Sequence, residues 1–157
     1  MTLIDEFILW LEAERRYSPL TVRNYRRDVD EFVAWCGHTH ETFDPNAVQR
    51  DDVEDWVIHL FEERKLKASS VNRTMASLRT FWRWMLKHDH VERDMLKTIH
   101  QYKTPKRLPT FVPDTRMDDV VAELKEDIAS EEFERVRDAL IILLIYTAGL
   151  RLSELVE

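Results

Sequence analysis

Glycine occurs only at positions 37 and 149 of the 157 residues. A chain so poor in the residue that enters positive-φ turns freely has little means of making β-hairpins, so helices are its predicted building blocks. Apolar spacing says the same. Leu3, Phe7, Trp10 and Leu11 recur at helical intervals behind Thr2, and predict a helix over residues 2–16. Ser18-Pro19 supplies an N-cap and a proline for the first turn of a second helix. Its apolar face carries Val22, Tyr25, Val29, Phe32, Val33 and Cys36, and Gly37 ends it. A third helix is predicted over 51–65, with Val53, Trp56, Val57, Leu60 and Phe61 as its stripe. A fourth runs from Ser69 or Ser70 to about His88 on Val71, Met75, Leu78, Trp82 and Met85. Trp10, Trp35, Trp56 and Trp82 read as core, whereas Trp84 lies off the stripe and reads as exposed.

Four helices with short connections predict an all-α bundle over residues 1–100. Residues 101–113, with three prolines and no helical period, read as a semi-extended basic linker. A further helix is predicted from Asp114. Another starts near Ser130 and runs through the apolar stretch Ala139–Ala148 to Gly149, with a new element beginning at Leu150. The longest apolar run is too short to span a bilayer. A single cysteine and the absence of a secretory leader at Met1 point to a reducing cytoplasm.

The net charge of −7 argues against a polyanionic partner until its distribution is considered. Residues 1–66 and 114–157 each carry −7, while residues 67–113 carry +7. A basic block between acidic flanks is the footprint expected of a nucleic-acid contact. Much of it lies on the polar faces of the fourth helix, through Asn72, Arg73, Ser77, Arg79, Arg83 and Lys87. It continues through Lys103, Lys106 and Arg107. Arginine and asparagine can read base edges, whereas serine and lysine more often hold phosphates. The competing assignment pairs Arg79 or Arg83 with carboxylates of the third helix such as Glu54, Asp55 or Glu62. Thr21 is a candidate phosphate contact or a capping aid. Cys36-x-His38-x-His40 has metal-ligand character but no fourth ligand and no second cluster, so no metal is expected there. No phosphate-cradling glycine loop is present, which disfavours nucleotide hydrolysis.

One segment is more specific. Tyr146-Thr-Ala-Gly149-Leu-Arg151-Leu-Ser153-Glu154-Leu155, after an apolar helix, resembles the first catalytic box of the tyrosine recombinases (phage-integrase type), particularly their Xer-like members. Ser18-Pro-x-Thr21-x3-Tyr25-x6-Phe32, the run from Ser69 to Phe81 and Lys106-Arg-Leu-Pro109 are similar to that family's core-binding domain and linker, in the family's order. Two departures stand out. Ala148 replaces the threonine usual before the glycine, and Asp94-Met95 replaces an Asn-Pro often found after the fourth helix.

The resemblance implies a four-helix core-binding (SAM-like) bundle over 1–100, a linker over 101–113, and from 114 the first helices of a catalytic domain truncated at Glu157. It implies contact with double-stranded DNA through the second and fourth helices, and other recombinase protomers on paired sites. The implied chemistry breaks and rejoins DNA through a phosphotyrosyl intermediate. It needs no metal and no nucleotide cofactor, and involves no small-molecule substrate and no membrane. Arg151 matches the first catalytic arginine. Its guanidinium offers paired donors where negative charge builds on a phosphodiester, next to a helix N-terminus that adds positive potential. None of the four tyrosines sits in the nucleophile's context, so this chain alone is expected to bind DNA and cleave nothing. The alternatives are a non-catalytic helical DNA-binding module and a protein-interaction adaptor.

Overall fold

The computed structural model describes residues 1–105 and 113–156, and there is no strand among them. The described helices are α1 (Leu3–Ala13), α2 (Pro19–Trp35), α3 (Arg50–Glu62), α4 (Ala68–Lys87), α5 (Asp114–Ile128), α6 (Phe133–Ala148) and α7 (Leu152–Val156). They divide into two compact units, Met1–Pro105 and Lys106–Glu157. None of the described helices is long and apolar enough to cross a membrane.

In the first unit, short polar side chains start the helices. Thr2 and Asp5 form a capping box, each side chain accepting from the other's backbone amide. The Asp5 carboxyl is held down at about 2, chiefly by the Thr2 hydroxyl and amide and then by Arg26. Ser18 caps α2 through the Thr21 amide, with Pro19 in the first turn. The helix ends depart from the simple glycine rule. Gly37 takes a positive φ after α2, but after α1, α3 and α4 the left-handed residues are Arg16, Lys65 and Asp89. In each case the next amide folds back onto a carbonyl of the preceding helix, as in Leu66 N–H to Leu60.

Helix α4 is the centre of this unit. Val71, Met75, Leu78, Phe81, Trp82 and Met85 are all buried against α1, α2 and α3. Trp84 corrects the expectation of exposure. It is 4% exposed, with its ring 5.5 Å from Phe7 of α1 and 6.1 Å from Phe81. The flank that looked spare on α4 is covered by α1, a contact between positions far apart in the chain. Trp35, expected in the core, is the rim residue instead, half-exposed and stacked on His59. Beyond α4, the Asp94 carboxylate accepts the Leu96 amide at 3.0 Å and turns the chain so that Leu96 and Ile99 close the core.

In the second unit α5 packs on α6, and α6 on α7. Gly149, at φ 65°, ends α6 and lets the chain turn into α7. Leu124 and Ala139 are its buried apolar side chains among the described residues, whereas Phe133, Leu140, Ile142, Leu144 and Tyr146 are exposed.

Candidate nucleic-acid interface

The polar residues of α4 fall on two separate faces. Arg73, Ala76, Arg83 and Lys87 recur at three- and four-residue intervals and are exposed, with Thr80 half-buried between them. Asn72 and Arg79 lie on a different strip, where they hold the chain that leaves the bundle. The Asn72 amide donates to the Tyr102 carbonyl at 2.8 Å and accepts the Tyr102 amide at 2.9 Å. Arg79 donates to the Ile99 carbonyl at 2.8 Å, and the Tyr102 ring meets Phe61 edge-on. Both side chains thus hold backbone, Asn72 through its amide oxygen and nitrogen and Arg79 through one Nη.

Arg73 is tied to α2. Its Nη1 donates to Asp28 Oδ2 at 2.8 Å and its Nη2 to Oδ1 at 3.2 Å, a paired geometry that fixes the guanidinium plane. Ser77 lies beneath this pair. It is only 2% exposed, and its hydroxyl donates to Asp28 Oδ2 at 2.7 Å, so it supports the ion pair from beneath rather than meeting solvent. Neither Arg79 nor Arg83 pairs with Glu54, Asp55 or Glu62 among the described residues.

Two grooves flank the exposed strip. One, of about 240 Å³, lies between α2 and α4 and is lined by Thr21, Asn24, Tyr25, Arg73, Ala76 and Ser77. Thr21 and Arg73 therefore meet at one groove, although the Thr21 hydroxyl also lies 2.8 Å from that of its cap, Ser18. The other, of about 360 Å³, brings Arg83, Lys87 and Thr80 together with Trp10, Trp84, Arg15 and Tyr17. The Arg15 guanidinium sits over the Trp10 and Tyr17 rings, at 5.7 and 5.6 Å from their centroids. Sequence reasoning missed Arg15, Tyr17 and Asn24. Arg15 and Tyr17 follow the last turn of α1, and only the packing of α1 on α4 puts them beside the basic strip. Lys103 is exposed just past the Tyr102 anchor, whereas Lys106 and Arg107 lie outside the described residues.

In the second unit Arg151 immediately precedes α7 and its side chain is 83% exposed. Glu154 accepts the Arg151 amide at 2.8 Å and its Nη1 at 3.2 Å, so one carboxylate both starts the helix and orients the guanidinium.

The Cys36–His40 segment is arranged for packing. His40 Nε2 lies 2.9 Å from Asp30. Burial, followed by the nearby Asp52 charge, pushes the Cys36 thiol up to about 11. The free thiolate, the nucleophilic form of cysteine, is therefore scarce at neutral pH.

Residues 4–89 match the family described as "Phage integrase, N-terminal SAM-like domain". The chain is 32% identical over 155 residues to the tyrosine recombinase XerD of Listeria monocytogenes, covering 99% of this chain and 50% of that protein. It is 30% identical over 154 residues to the tyrosine recombinase XerC of Pediococcus pentosaceus, covering 98% and 50%. The chain thus spans about half the length of the curated relatives it matches. Among solved structures, the integrase from mycobacterium phage Brujita has a similar fold, with a TM-score of 0.59 at 21% identity, over 95% of this chain and 46% of that one. The XerA recombinase gives 0.50 at 20%, over 98% and 48%.

Proposed function

Because the chain belongs to the phage integrase N-terminal SAM-like domain family, we propose that its first unit binds double-stranded DNA through the exposed strip of α4 and the first turn of α2. The observation that carries this reading is the alignment of Arg73, Arg83 and Lys87 on one helix face, with Thr21 and Arg15 beside it. Cations on one rigid face can release several counterions together, and the acidic remainder of the chain repels phosphates elsewhere. Lys103, Lys106 and Arg107 extend the footprint beyond the bundle. Asn72 and Arg79 act indirectly, by anchoring the exit of that basic segment. The work is then done in the cytoplasm, on chromosomal or mobile DNA.

The second unit contributes Arg151 to a recombinase active site. There its fork meets the non-bridging oxygens of the scissile phosphate while a tyrosine hydroxyl, in a context that none of this chain's four tyrosines has, attacks phosphorus and displaces a deoxyribose oxygen, so that a phosphotyrosyl bond replaces the phosphodiester bond that breaks. Recombination of two sites further requires other protomers on the paired DNA.

The test is a salt titration of duplex binding by the unsubstituted chain and by the double variant Arg83→Ala/Lys87→Ala. Each lost phosphate contact should lower the salt slope by about one. These positions are chosen because neither makes a hydrogen bond or ion pair among the described residues. An unchanged slope and affinity in the folded double variant would return the strip to a solvated helix face.

A further inference from the structure

We infer that Asp28 is a positioning residue for DNA binding: a buried carboxylate on α2 that holds the Arg73 guanidinium ready at the α2–α4 groove before DNA arrives. This rests on the DNA-binding reading and adds to it a group that cannot itself touch DNA. Asp28 is 1% exposed, unusual for an acid, and burial of a charge is costly unless it is paired and hydrogen-bonded. Here it is both. Besides the two bonds from Arg73 and the one from Ser77, its Oδ1 lies 3.4 Å from Arg27 Nη2.

The partner, by contrast, reaches the surface. The Arg73 side chain is 47% exposed and lines the groove beside Thr21 and Asn24. The carboxylate uses one edge of a planar cation with five N–H donors, and Nε makes no hydrogen bond among the described residues. A free arginine loses much rotamer freedom when it grips a phosphate or a base edge; one already clamped from beneath does not. Ser77, beneath the same carboxylate, completes the clamp from α4 itself.

The sign of the effect separates positioning from simple charge. Removing a negative charge near a DNA-binding face should tighten phosphate binding if charge alone matters. If Asp28 positions Arg73, the folded Asp28→Asn chain should bind more weakly despite carrying one negative charge fewer, by about three- to tenfold, the cost of ordering one long side chain. The measurement is fluorescence anisotropy of a labelled mixed-sequence duplex at low salt, with thermal melts to verify folding. Placed on an Arg73→Ala background, Asp28→Asn should cause no further loss. Arg73→Lys leaves the buried carboxylate intact and keeps the charge but not the fork, and should lose a similar factor. Unchanged or tighter binding by folded Asp28→Asn, an added loss on the Arg73→Ala background, or full affinity in Arg73→Lys each overturns the positioning role. Failure of the unsubstituted chain to bind duplex overturns instead the DNA-binding reading beneath it.

Discussion

Removing the Arg73 side chain strands a carboxylate that is 1% exposed, so substitution there reports on folding as well as on DNA. Ser77 and Arg27 remain as partners, which moderates the loss. Arg73→Ala should lower stability by about 1–3 kcal/mol in a denaturant titration, the usual cost of depriving a buried acceptor of its donor. Arg83→Ala, at a position with no such partner, should stay within about 0.5 kcal/mol of the parent. Equal stabilities would mean that the Arg73–Asp28 pair contributes nothing net, as an ion pair can when its desolvation offsets its attraction. Arg151 is the opposite kind of residue, exposed and held by Glu154 alone among the described residues. Its substitution should leave folding untouched. On the proposed reading of Arg151 as an active-site residue, Arg151→Ala in a protein that carries the complete site should depress covalent protein–DNA complex formation by about 10²–10³, the usual effect of losing one preorganised donor at a developing oxyanion. Duplex affinity should hardly change, because many other contacts hold the DNA. Arg151→Lys should rescue poorly, for want of the forked geometry, and near-normal complex formation by Arg151→Ala would return Arg151 to an ordinary surface cation.

The scarcity of glycine that favours helices has a consequence at their ends. Lys65 takes a left-handed conformation after α3, at φ 51°, where a Cβ costs about 1–2 kcal/mol and glycine has no such penalty. After glycine's own loss of chain entropy on folding, Lys65→Gly should still raise stability by about 0.5–1 kcal/mol in a thermal melt. A lower melting temperature would count against the left-handed geometry. At the start of α1, Asp5 sits at about 2 against an ordinary 3.8. As pH falls, the unfolded chain takes up this proton first. The contribution of the capping box is therefore complete above 3.8 and is lost as pH falls through about 2. A side-chain NMR titration of Asp5 centred near its ordinary 3.8 would contradict that, and Asp5→Asn should flatten the stability curve in this window. The helices themselves are legible in the sequence, since period and N-terminal caps are local signals. Their stops are less sharply so: α1 and α3 end three residues before the expected positions and α4 within one, because a residue other than glycine can be driven into the left-handed region by the packing on either side of it. The same division runs through the candidate site. Charge places the strip on α4, but Asp28 lies 45 positions from Arg73, and Tyr102 30 from Asn72. No local pattern announces such pairs. Trp84 defeats the local pattern for the same reason, its cover coming from α1.

At the scale of the whole chain, the two units are unlike in how they are held together. The first has a continuous core from Ile4 to Ile99 that closes around α4. Among the described residues of the second, Leu124 and Ala139 are the buried apolar side chains, while Phe133, Leu140, Ile142, Leu144 and Leu152 meet solvent. Stability follows buried apolar surface, so backbone amides of α6 have little holding them closed beyond their own helix. At 16 residues α6 is only just beyond the length at which an isolated helix is marginal in water. Hydrogen exchange of this chain should accordingly be faster through α5 and α6 than through α2 and α4, by several orders of magnitude if the second unit opens independently. The exposed apolar side chains should also drive concentration-dependent self-association, visible as a rise in sedimentation coefficient and suppressed by Leu140→Gln/Leu144→Gln. Those substitutions should leave exchange in α2 and α4 unchanged, because the two units have separate cores. Equal protection across both units, in a chain that stays monomeric at high concentration, would mean that the α5–α6 contact is far stronger than its buried area allows.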